Sequence, residues 1–128
     1  ALTAQPFSAD VGRVTEETLG LQLQLNRTTW QALCEHGVQP GQALDVDVFY
    51  AAPGEEAARR LAVELTSVAG DARVGSTRSG LLRRRQWSVT GSLQLSQVSI
   101  EVLDAFVEHF VGVGARHGCE FDGWGAQL

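Results

Sequence analysis

The stretch from Val98 to Gly125, VSIEVLDAFVEHFVGVGARHGCEFDGWG, predicts a long amphipathic helix that leads into a short strand. Apolar side chains recur at helical spacing on one side of this helix, and acidic or small residues occupy the other. The inward set is Leu103, Phe106, Val107, Phe110, Val113 and Gly114, and the outward set is Glu101, Asp104, Glu108 and Gly112. Ser99 can cap the first turn, and Gly118, which tolerates a positive φ, can end the helix. Because so wide an apolar face has to pack on something large and flat, we expect it to lie on a β-sheet.

Upstream of this helix, the sequence predicts three strands and one further helix. Leu44–Tyr50 and Gln86–Leu95 alternate apolar and polar residues, which is typical of half-buried strands, and Ala72–Ser76 is a weaker strand. Glu55–Ala69 predicts a helix whose inward residues are Ala57, Leu61, Leu65 and Val68. With the final helix and strand, the order from Leu44 is β-α-β-β-α-β. The sequence therefore predicts an α+β, ferredoxin-like fold, in which an antiparallel sheet carries both helices on one face.

The N-terminal part of the chain predicts one extra strand before this unit. Residues 1–14 show no periodicity and are interpreted as a flexible lead-in. The leucines that follow alternate with glycine, glutamine and asparagine at Leu19, Leu21, Leu23 and Leu25. A period of two is typical of a half-buried strand. We therefore expect an N-terminal strand over residues 19–25 and a single domain over residues 15–128.

A short helix is expected between this extra strand and the β-α-β-β-α-β unit. Asn26 or Thr28 can cap a helix from Thr29 to His36, and Gly37 can end it. The residues on its inner side are Trp30, Leu33 and Cys34. A turn over residues 38–41 then leads into the first strand of the unit.

Length and composition indicate an ordinary globular domain. A chain of 128 residues can bury about two thirds of its surface around one core. The net charge of −5 argues against a nucleic-acid binder of the basic-surface kind. The sequence contains no secretory signal or membrane-spanning run, so Cys34 and Cys119 are expected to be two buried thiols of a cytoplasmic protein and not a disulfide.

No arrangement of histidine, cysteine or serine predicts catalysis. His36 and His117 are placed at helix ends, where imidazole often hydrogen-bonds the last carbonyls, and no nucleophile motif accompanies them or His109. Together with Cys34 and Cys119, His36 and His117 have the donor set of a zinc site, but not the spacing of a structural one. We therefore expect a protein that is not an enzyme and that holds no metal and no cofactor.

Two carboxylates lie beside an aromatic residue on the open side of the first strand. Asp45, Asp47 and Phe49 alternate with the apolar residues, and the two aspartates are about 7 Å apart by strand rise. One interpretation is an acidic contact surface with an aromatic centre. The other, which we prefer, is a set of solvated charges that prevents self-association of an open sheet.

Four arginines cluster around the loop between the second and third strands of the unit, namely Arg78, Arg83, Arg84 and Arg85. Beside an open sheet face, they suggest contact with single-stranded RNA. The following strand lacks the Arg/Lys-Gly-aromatic run of RNA-binding sheets, and its one aromatic residue, Trp87, is in register with the core side. A solvated hairpin tip is therefore the preferred interpretation, and RNA contact is the alternative.

The chain closes with the run Asp122-Gly123-Trp124-Gly125. Two glycines around a tryptophan indicate unusual backbone dihedrals that orient one large ring. In one interpretation Trp124 plugs the core and Asp122 caps the turn. In the other, the run is a surface patch for a protein partner, because tryptophan is enriched in binding hot spots.

The C-terminal third resembles a known family. The runs Leu103-Asp104-Ala105, Val107-Glu108 and Glu120-Phe121-Asp122-Gly123-Trp124-Gly125 are similar to the end of the regulator of ribonuclease E activity B (RraB) family. The segment Leu33–Pro53 also resembles the segment that leads into the first sheet strand in that family. The resemblance covers most of Leu33–Gly125, and it implies the ferredoxin-like fold that periodicity also predicts.

The resemblance implies a small, non-enzymatic, cytoplasmic bacterial protein that binds ribonuclease E, lowers its activity and so alters RNA degradation. We expect the contact on the acidic outer side of the last helix, on the open face of the first strand, or at the chain end. The candidate residues are Glu101, Asp104 and Glu108, then Asp45, Asp47 and Phe49, then Asp122 and Trp124. Three alternatives stay open: an RNA-contacting module that uses the Arg-rich loop, a ferredoxin-like domain with an unrelated protein partner, and a hydrolase or transferase of unfamiliar type.

Overall fold

A computed structural model describes the backbone of residues 4–79 and 84–128 and the side chains of residues 16–77 and 85–128. Within these residues, three helices and four strands follow one another along the chain. They are α1 (Ala4–Glu35), β1 (Leu44–Ala52), α2 (Glu55–Ala69), β2 (Asp71–Ser79), β3 (Arg84–Leu95), α3 (Ile100–Ala115) and β4 (Glu120–Gln127). From β1 onward, every helix and strand that periodicity predicts is present, with ends that differ by a few residues.

The strands form one antiparallel sheet in the order β2-β3-β1-β4. β1 lies inside the sheet, between β3 and β4, whereas β2 and β4 form its edges. The side chains of β1 alternate between two faces, as the sequence predicts. Those that face the helices are Leu44, Val46, Val48 and Tyr50, and those on the solvent side are Asp45, Asp47 and Phe49. The helices therefore cover one face of the sheet and leave the other open.

Helix α3 packs on the inner face of the sheet, as the C-terminal stretch predicts. Its buried residues are Leu103, Phe106, Val107, Phe110, Val111, Val113 and Gly114. Gly114 fits against the ring of Tyr50, because a Cβ at this position would lie 2.5 Å from Cε1 of that ring. The Tyr50 hydroxyl donates a hydrogen bond of 2.6 Å to the carbonyl of Phe110. This close contact joins the C-terminal half of α3 to β1, and α3 also packs against β4.

The predicted ends of α3 agree with the structure. The Ser99 hydroxyl accepts a hydrogen bond of 3.1 Å from the backbone N–H of Val102, so Ser99 is the N-cap. The helix ends at Ala115, and Gly118, with a φ of 70°, lies in the turn that leads to β4. A left-handed residue is needed there because the chain reverses direction to join the sheet.

Helix α2 covers the other part of the inner face. Ala57, Leu61 and Leu65 are buried as predicted, and Gly70, with a φ of 90°, ends the helix. Val68, which the sequence also predicts to face inward, is 47% exposed. This prediction is wrong because Val68 lies in the last turn of α2, where Gly70 already directs the chain away into β2.

The predicted N-terminal strand is wrong, because residues 19–25 belong to the long helix α1. The alternating leucines lie on two sides of this helix: Leu19 and Leu23 are half-buried, whereas Leu21 and Leu25 are exposed. The side of α1 that packs on the rest of the protein carries Leu19, Gln22, Asn26, Trp30 and Leu33. This side has the period of a helix, and the additional leucines at Leu21 and Leu25 conceal that period in the sequence.

The short helix predicted over Thr29–His36 is the end of α1, so neither Asn26 nor Thr28 caps it. The helix does end close to Gly37, which has a φ of 96°. Cys34, predicted on the inner side, is exposed. The structure assigns the backbone of residues 4–14 to α1, and the division of the chain into a flexible lead-in (1–14) and one domain (15–128) stays a prediction.

Candidate functional site

Asp45 and Asp47 project from the open face of the sheet and are held by the neighbouring strands. The Ser92 hydroxyl donates a hydrogen bond of 2.6 Å to Oδ1 of Asp47, and the Gln127 amide donates to both of its oxygens at 3.0 Å. The Gln94 amide donates to Oδ1 of Asp45 at 3.1 Å. These donors to Asp47, that of Ser92 first, hold the pKa of this carboxyl below its usual value. Asp47 is therefore a charged group in a defined position at neutral pH.

Phe49 is the aromatic centre of the open face. Its side chain is 40% exposed, and it lies opposite Thr90 of β3 and Gly123 of β4. A Cβ built on Gly125 would meet the Phe49 ring at 3.7 Å, so the ring lies beside a strand position that has no side chain. Phe49 thus covers part of the β4 backbone and presents the rest of its ring to solvent.

The open face is predominantly acidic in the described residues. The strand register places Asp71 and Arg73 of β2 and Glu120 of β4 on the same side as Asp45 and Asp47, and all three are exposed. The charge of Arg73 also favours the ionised form of Asp47 and so adds to the lowering of its pKa. We refer to this surface, which consists of Asp45, Asp47, Phe49, Asp71, Arg73 and Glu120, as the acidic sheet face.

The second candidate surface, the outer side of α3, is only partly free. Glu101 and Glu108 are exposed. Asp104, in contrast, accepts hydrogen bonds of 2.9 and 2.8 Å from the Arg27 guanidinium and one of 3.1 Å from the Asn26 amide, both on α1. The guanidinium beside it holds the pKa of Asp104 below its usual value. Asp104 therefore joins α3 to α1, and its role in a contact with another protein stays a prediction.

The run Asp122-Gly123-Trp124-Gly125 forms a bulge in β4. The pairing of β4 with β1 skips Asp122, so that Phe121 and Trp124, three residues apart, both face the helices. Gly123 adopts a φ of 119°, a region that favours glycine. Asp122 is exposed at the bulge. The unusual dihedrals expected from the two glycines are thus found at Gly123.

Trp124 is half-buried against α1 and α3. Its Nε1 donates a hydrogen bond of 2.9 Å to Oδ1 of Asn26, and its ring meets Phe106 edge-on with the centroids 5.9 Å apart. Asn26 is fully buried and bonds both Trp124 and Asp104, so it connects α1, α3 and β4. We refer to Asn26, Asp104 and Trp124 as the polar junction. This packing supports the interpretation of Trp124 as a core residue.

Sequence reasoning missed the role of Asn26, which it assigned to a helix cap. A signal was available, because Asn26 continues the helical spacing from Leu23 to Trp30. A polar residue in such an apolar series indicates a buried hydrogen-bond partner.

The arginines between β2 and β3 lie largely on the strands, whereas the sequence predicts them in a loop. Arg78 lies on β2 and Arg84 and Arg85 on β3, with Arg78 directly opposite Arg85. The guanidinium of Arg85 lies 5.8 Å from the ring centroid of Trp87. Arg83, and the side chains of Arg78 and Arg84, lie outside the described residues. RNA contact through these arginines stays a prediction.

The residues that have the donor set of a zinc site occupy separate environments. Cys34 is exposed on α1 and Cys119 is buried at the start of β4, and both are free. His36 lies 2.8 Å from a carbonyl of its own helix end, and Nε2 of His117 lies 2.8 Å from Oε1 of Glu64. Among the residues with described side chains, no group of three or more metal-binding residues is found. None of the helices in the described part of the chain is long and apolar enough to cross a membrane.

Comparison with known proteins relates the chain to a family. The model of the family described as RraB, regulator of ribonuclease activity B, matches residues 23–126. This range contains the polar junction and the whole acidic sheet face. No curated protein matches the chain.

Proposed function

The chain belongs to the RraB family, the regulators of ribonuclease activity B, and on this basis we propose that it is a non-enzymatic regulator that binds ribonuclease E by protein–protein contact and lowers its activity. The match over residues 23–126 supports this assignment, because it extends from α1 to β4. The strand order β2-β3-β1-β4 with antiparallel pairing supports a ferredoxin-like arrangement of the β1–β4 unit. The cytoplasmic, bacterial setting expected from the family resemblance belongs to the same proposal.

The acidic sheet face is the surface that we assign to the ribonuclease contact. It is the side of the sheet that carries no helix, and it presents four carboxylates and the single guanidinium of Arg73 among the described side chains. A basic segment of a nuclease is electrostatically complementary to such a surface, and Phe49 supplies an aromatic anchor at its centre. Asp47 stays ionised well below neutral pH, so this complementarity is present under ordinary conditions.

Two of the other candidate residues, Asp104 and Trp124, are less available for a partner. Asp104 bonds Arg27 and Asn26, and Trp124 bonds Asn26, so a partner that binds either residue has to compete with contacts inside the chain. Glu101 and Glu108 on α3 and Asp122 at the bulge of β4 are exposed and stay candidates. The observation that carries the proposal is therefore the open, acidic side of β1.

A binding experiment with charge-neutral variants tests this assignment. The one amide oxygen of Asn at position 47 can still accept the hydrogen bonds that Ser92 and Gln127 donate to Oδ1, and only the second contact of Gln127, to Oδ2, is lost, so Asp45→Asn with Asp47→Asn removes charge with a small effect on the fold. We expect affinity for purified ribonuclease E to fall by about 5- to 30-fold, from two charge contacts of about 0.5–1 kcal/mol each. The loss is expected to diminish at high salt. Inhibition of RNA cleavage should decline in parallel.

The matched control is Glu101→Gln with Glu108→Gln, which removes the same charge from the outer side of α3. This control should bind as the wild type does. If the Glu101/Glu108 variant bound ribonuclease E more weakly than the Asp45/Asp47 variant, the contact would instead be assigned to the outer side of α3. Absence of binding between the wild-type chain and ribonuclease E at low salt would refute the choice of partner. Salt-dependent binding to single-stranded RNA that depends on Arg85 would instead favour the RNA-contacting alternative.

A further inference from the structure

The ring of Phe49 lies in an opening of the acidic sheet face that is surrounded by small residues. β4 supplies no side chain at the two positions beside the ring, because Gly123 is directly opposite Phe49 and Gly125 is the next outward-facing position. A Cβ on Gly123 would meet no atom within 4 Å, and one on Gly125 would meet only the Phe49 ring, at 3.7 Å. On its other side, β3 supplies Thr90. The ring is 40% exposed, and a partner can reach it over the bare backbone of β4.

The carboxylate of Asp47 lies next to this opening. Asp47 precedes Phe49 by two residues on the same face of β1, about 7 Å by strand rise, and its neighbour on β4 is Gly125, beside which the ring lies. A carboxylate has about four acceptor positions, and at Asp47 Ser92 occupies one and Gln127 occupies two. Among the described side chains, one position of the charged carboxylate is therefore left for a donor from another molecule.

No guanidinium within the described side chains of the chain itself covers the Phe49 ring. The cation–π contact in this part of the chain joins Arg85 to Trp87, at 5.8 Å from the ring centroid. Arg73 lies in the same row as Phe49, but on β2, with β3 between them, and its charge acts on Asp47. The aromatic ring and the remaining acceptor position of Asp47 are thus available together to one cation.

We propose that this part of the acidic sheet face binds an arginine side chain of a protein partner, with the guanidinium stacked on Phe49 and one N–H group donating to Asp47. The partner is that of the proposed function, on which this inference rests. A guanidinium is planar and weakly hydrated, so it can stack on an aromatic ring and donate to a carboxylate at the same time. A lysine ammonium is a compact, strongly hydrated charge without a flat surface. The site therefore discriminates arginine from lysine.

The charge of the surroundings favours a cation over the other planar group that stacks on aromatic rings, a nucleic-acid base. Four carboxylates lie on the same face of the sheet, namely those of Asp45, Asp47, Asp71 and Glu120. They repel the phosphates to which a base is attached, whereas they attract a basic peptide. Phe49 is therefore assigned to an arginine and not to RNA.

Binding of two peptides of equal charge to the full chain tests the proposal. The probes are four repeats of Arg-Gly-Gly and four repeats of Lys-Gly-Gly, each with a fluorescent label, and fluorescence anisotropy at low salt measures the affinities. We expect the wild type to prefer the arginine peptide by about 2- to 5-fold, the contribution of one exposed cation–π contact. Phe49→Leu should abolish this preference, because leucine is apolar but has no aromatic ring. Phe49→Tyr keeps the ring and should retain the preference.

Charge variants supply the controls, and circular dichroism verifies that each variant is folded. Asp45→Asn with Asp47→Asn should weaken the binding of both peptides, whereas Glu101→Gln with Glu108→Gln should change neither the affinities nor the preference. Equal binding of the two peptides by the wild type would overturn the proposal, as would a preference that Phe49→Leu leaves intact. Binding of a single-stranded oligouridylate that depends on Phe49 would also overturn it, because the ring would then serve a base.

A parallel measurement with ribonuclease E separates failure of the arginine site from failure of the proposed partner. If the wild type preferred the arginine peptide through Phe49 but did not bind ribonuclease E, the arginine site would be supported and the choice of partner refuted. If the chain bound ribonuclease E through Asp45 and Asp47 but showed no preference for arginine, the arginine site alone would be refuted.

Discussion

Replacing Asn26 with alanine tests the polar junction, which is the least obvious element of the structure. Asn26 is fully buried on α1, donates a hydrogen bond of 3.1 Å to Asp104 of α3, and accepts one of 2.9 Å from Trp124 of β4. Alanine at this position removes both bonds and leaves the indole N–H of Trp124 without its acceptor. The substitution affects α1, α3 and β4 at once, because the Asn26 side chain hydrogen-bonds residues of both other elements.

The expected cost follows from the two bonds. A half-buried donor that loses its acceptor costs about 1–2 kcal/mol, and the bond to the charged carboxylate contributes about 1.5–3 kcal/mol, reduced because Arg27 still pairs with Asp104. The higher helix propensity of alanine offsets roughly 0.5 kcal/mol of this loss of stability. We therefore expect the free energy of unfolding to fall by about 2–4 kcal/mol.

Urea denaturation at 25 °C, followed by far-UV circular dichroism, measures this change. Gln24→Ala on the exposed side of α1 is the matched control and should remain within about 0.5 kcal/mol of the wild type. A double-mutant cycle with Trp124→Phe, which keeps an aromatic ring but removes the N–H, should show a coupling of about 1 kcal/mol. Equal stability of the Asn26→Ala protein and the wild type would refute the role of the junction.

Two further predictions concern packing and pH. Gly114→Ala should lower the stability by about 1–3 kcal/mol, because the new Cβ would lie 2.5 Å from the ring of Tyr50. Gly112→Ala, in open space on the same helix, should raise the stability by up to about 1 kcal/mol. Thermal unfolding of both proteins measures these changes, and the reverse order would contradict the packing of α3 on β1. The pKa of Asp104 is lower in the folded than in the unfolded chain, chiefly because of the Arg27 guanidinium. The contribution of the Asp104 carboxylate to stability is therefore complete above the unfolded pKa of about 4, and it is lost as the pH falls through the pKa of the folded chain. Asp104→Asn should therefore flatten the decline of stability between about pH 5 and about pH 2 in urea unfolding, and an unchanged decline would contradict this assignment.

The elements β1, α2, β3 and α3 were predictable because each has one dominant period. In β1, the apolar residues from Leu44 to Tyr50 recur at every second position, and in α3 the buried residues from Leu103 to Gly114 recur at helical spacing. Burial of one side of an element imposes such a period directly on the sequence. The acidic sheet face was predictable in part for the same reason, because Asp45, Asp47 and Phe49 had to lie opposite the buried side of β1.

The roles of Asp104 and Trp124 in the polar junction were not predictable in this way. Asp104 shares a helix side with exposed acidic residues, and only the approach of α1 brings Arg27 within hydrogen-bond distance. Trp124 would face solvent in a regular strand that has Phe121 on the inner side. The bulge at Asp122 reverses this alternation, and its position depends on pairing with β1.

The β-α-β-β-α-β order, the inner and outer sides of β1, and the amphipathic character of α2 and α3 therefore follow from local sequence patterns, because these features depend on residues close together in the chain. Local patterns could not determine the structure of residues 19–25, whose leucines satisfy both a period of two and the spacing of two helix faces. Tertiary contacts select the helix, because Leu19 and Trp30 of α1 pack against the core and because Asp104 of α3 and Trp124 of β4 are the hydrogen-bond partners of Asn26. These contacts with elements far along the chain leave only a helical period in the sequence of α1, and Leu21 and Leu25 conceal it.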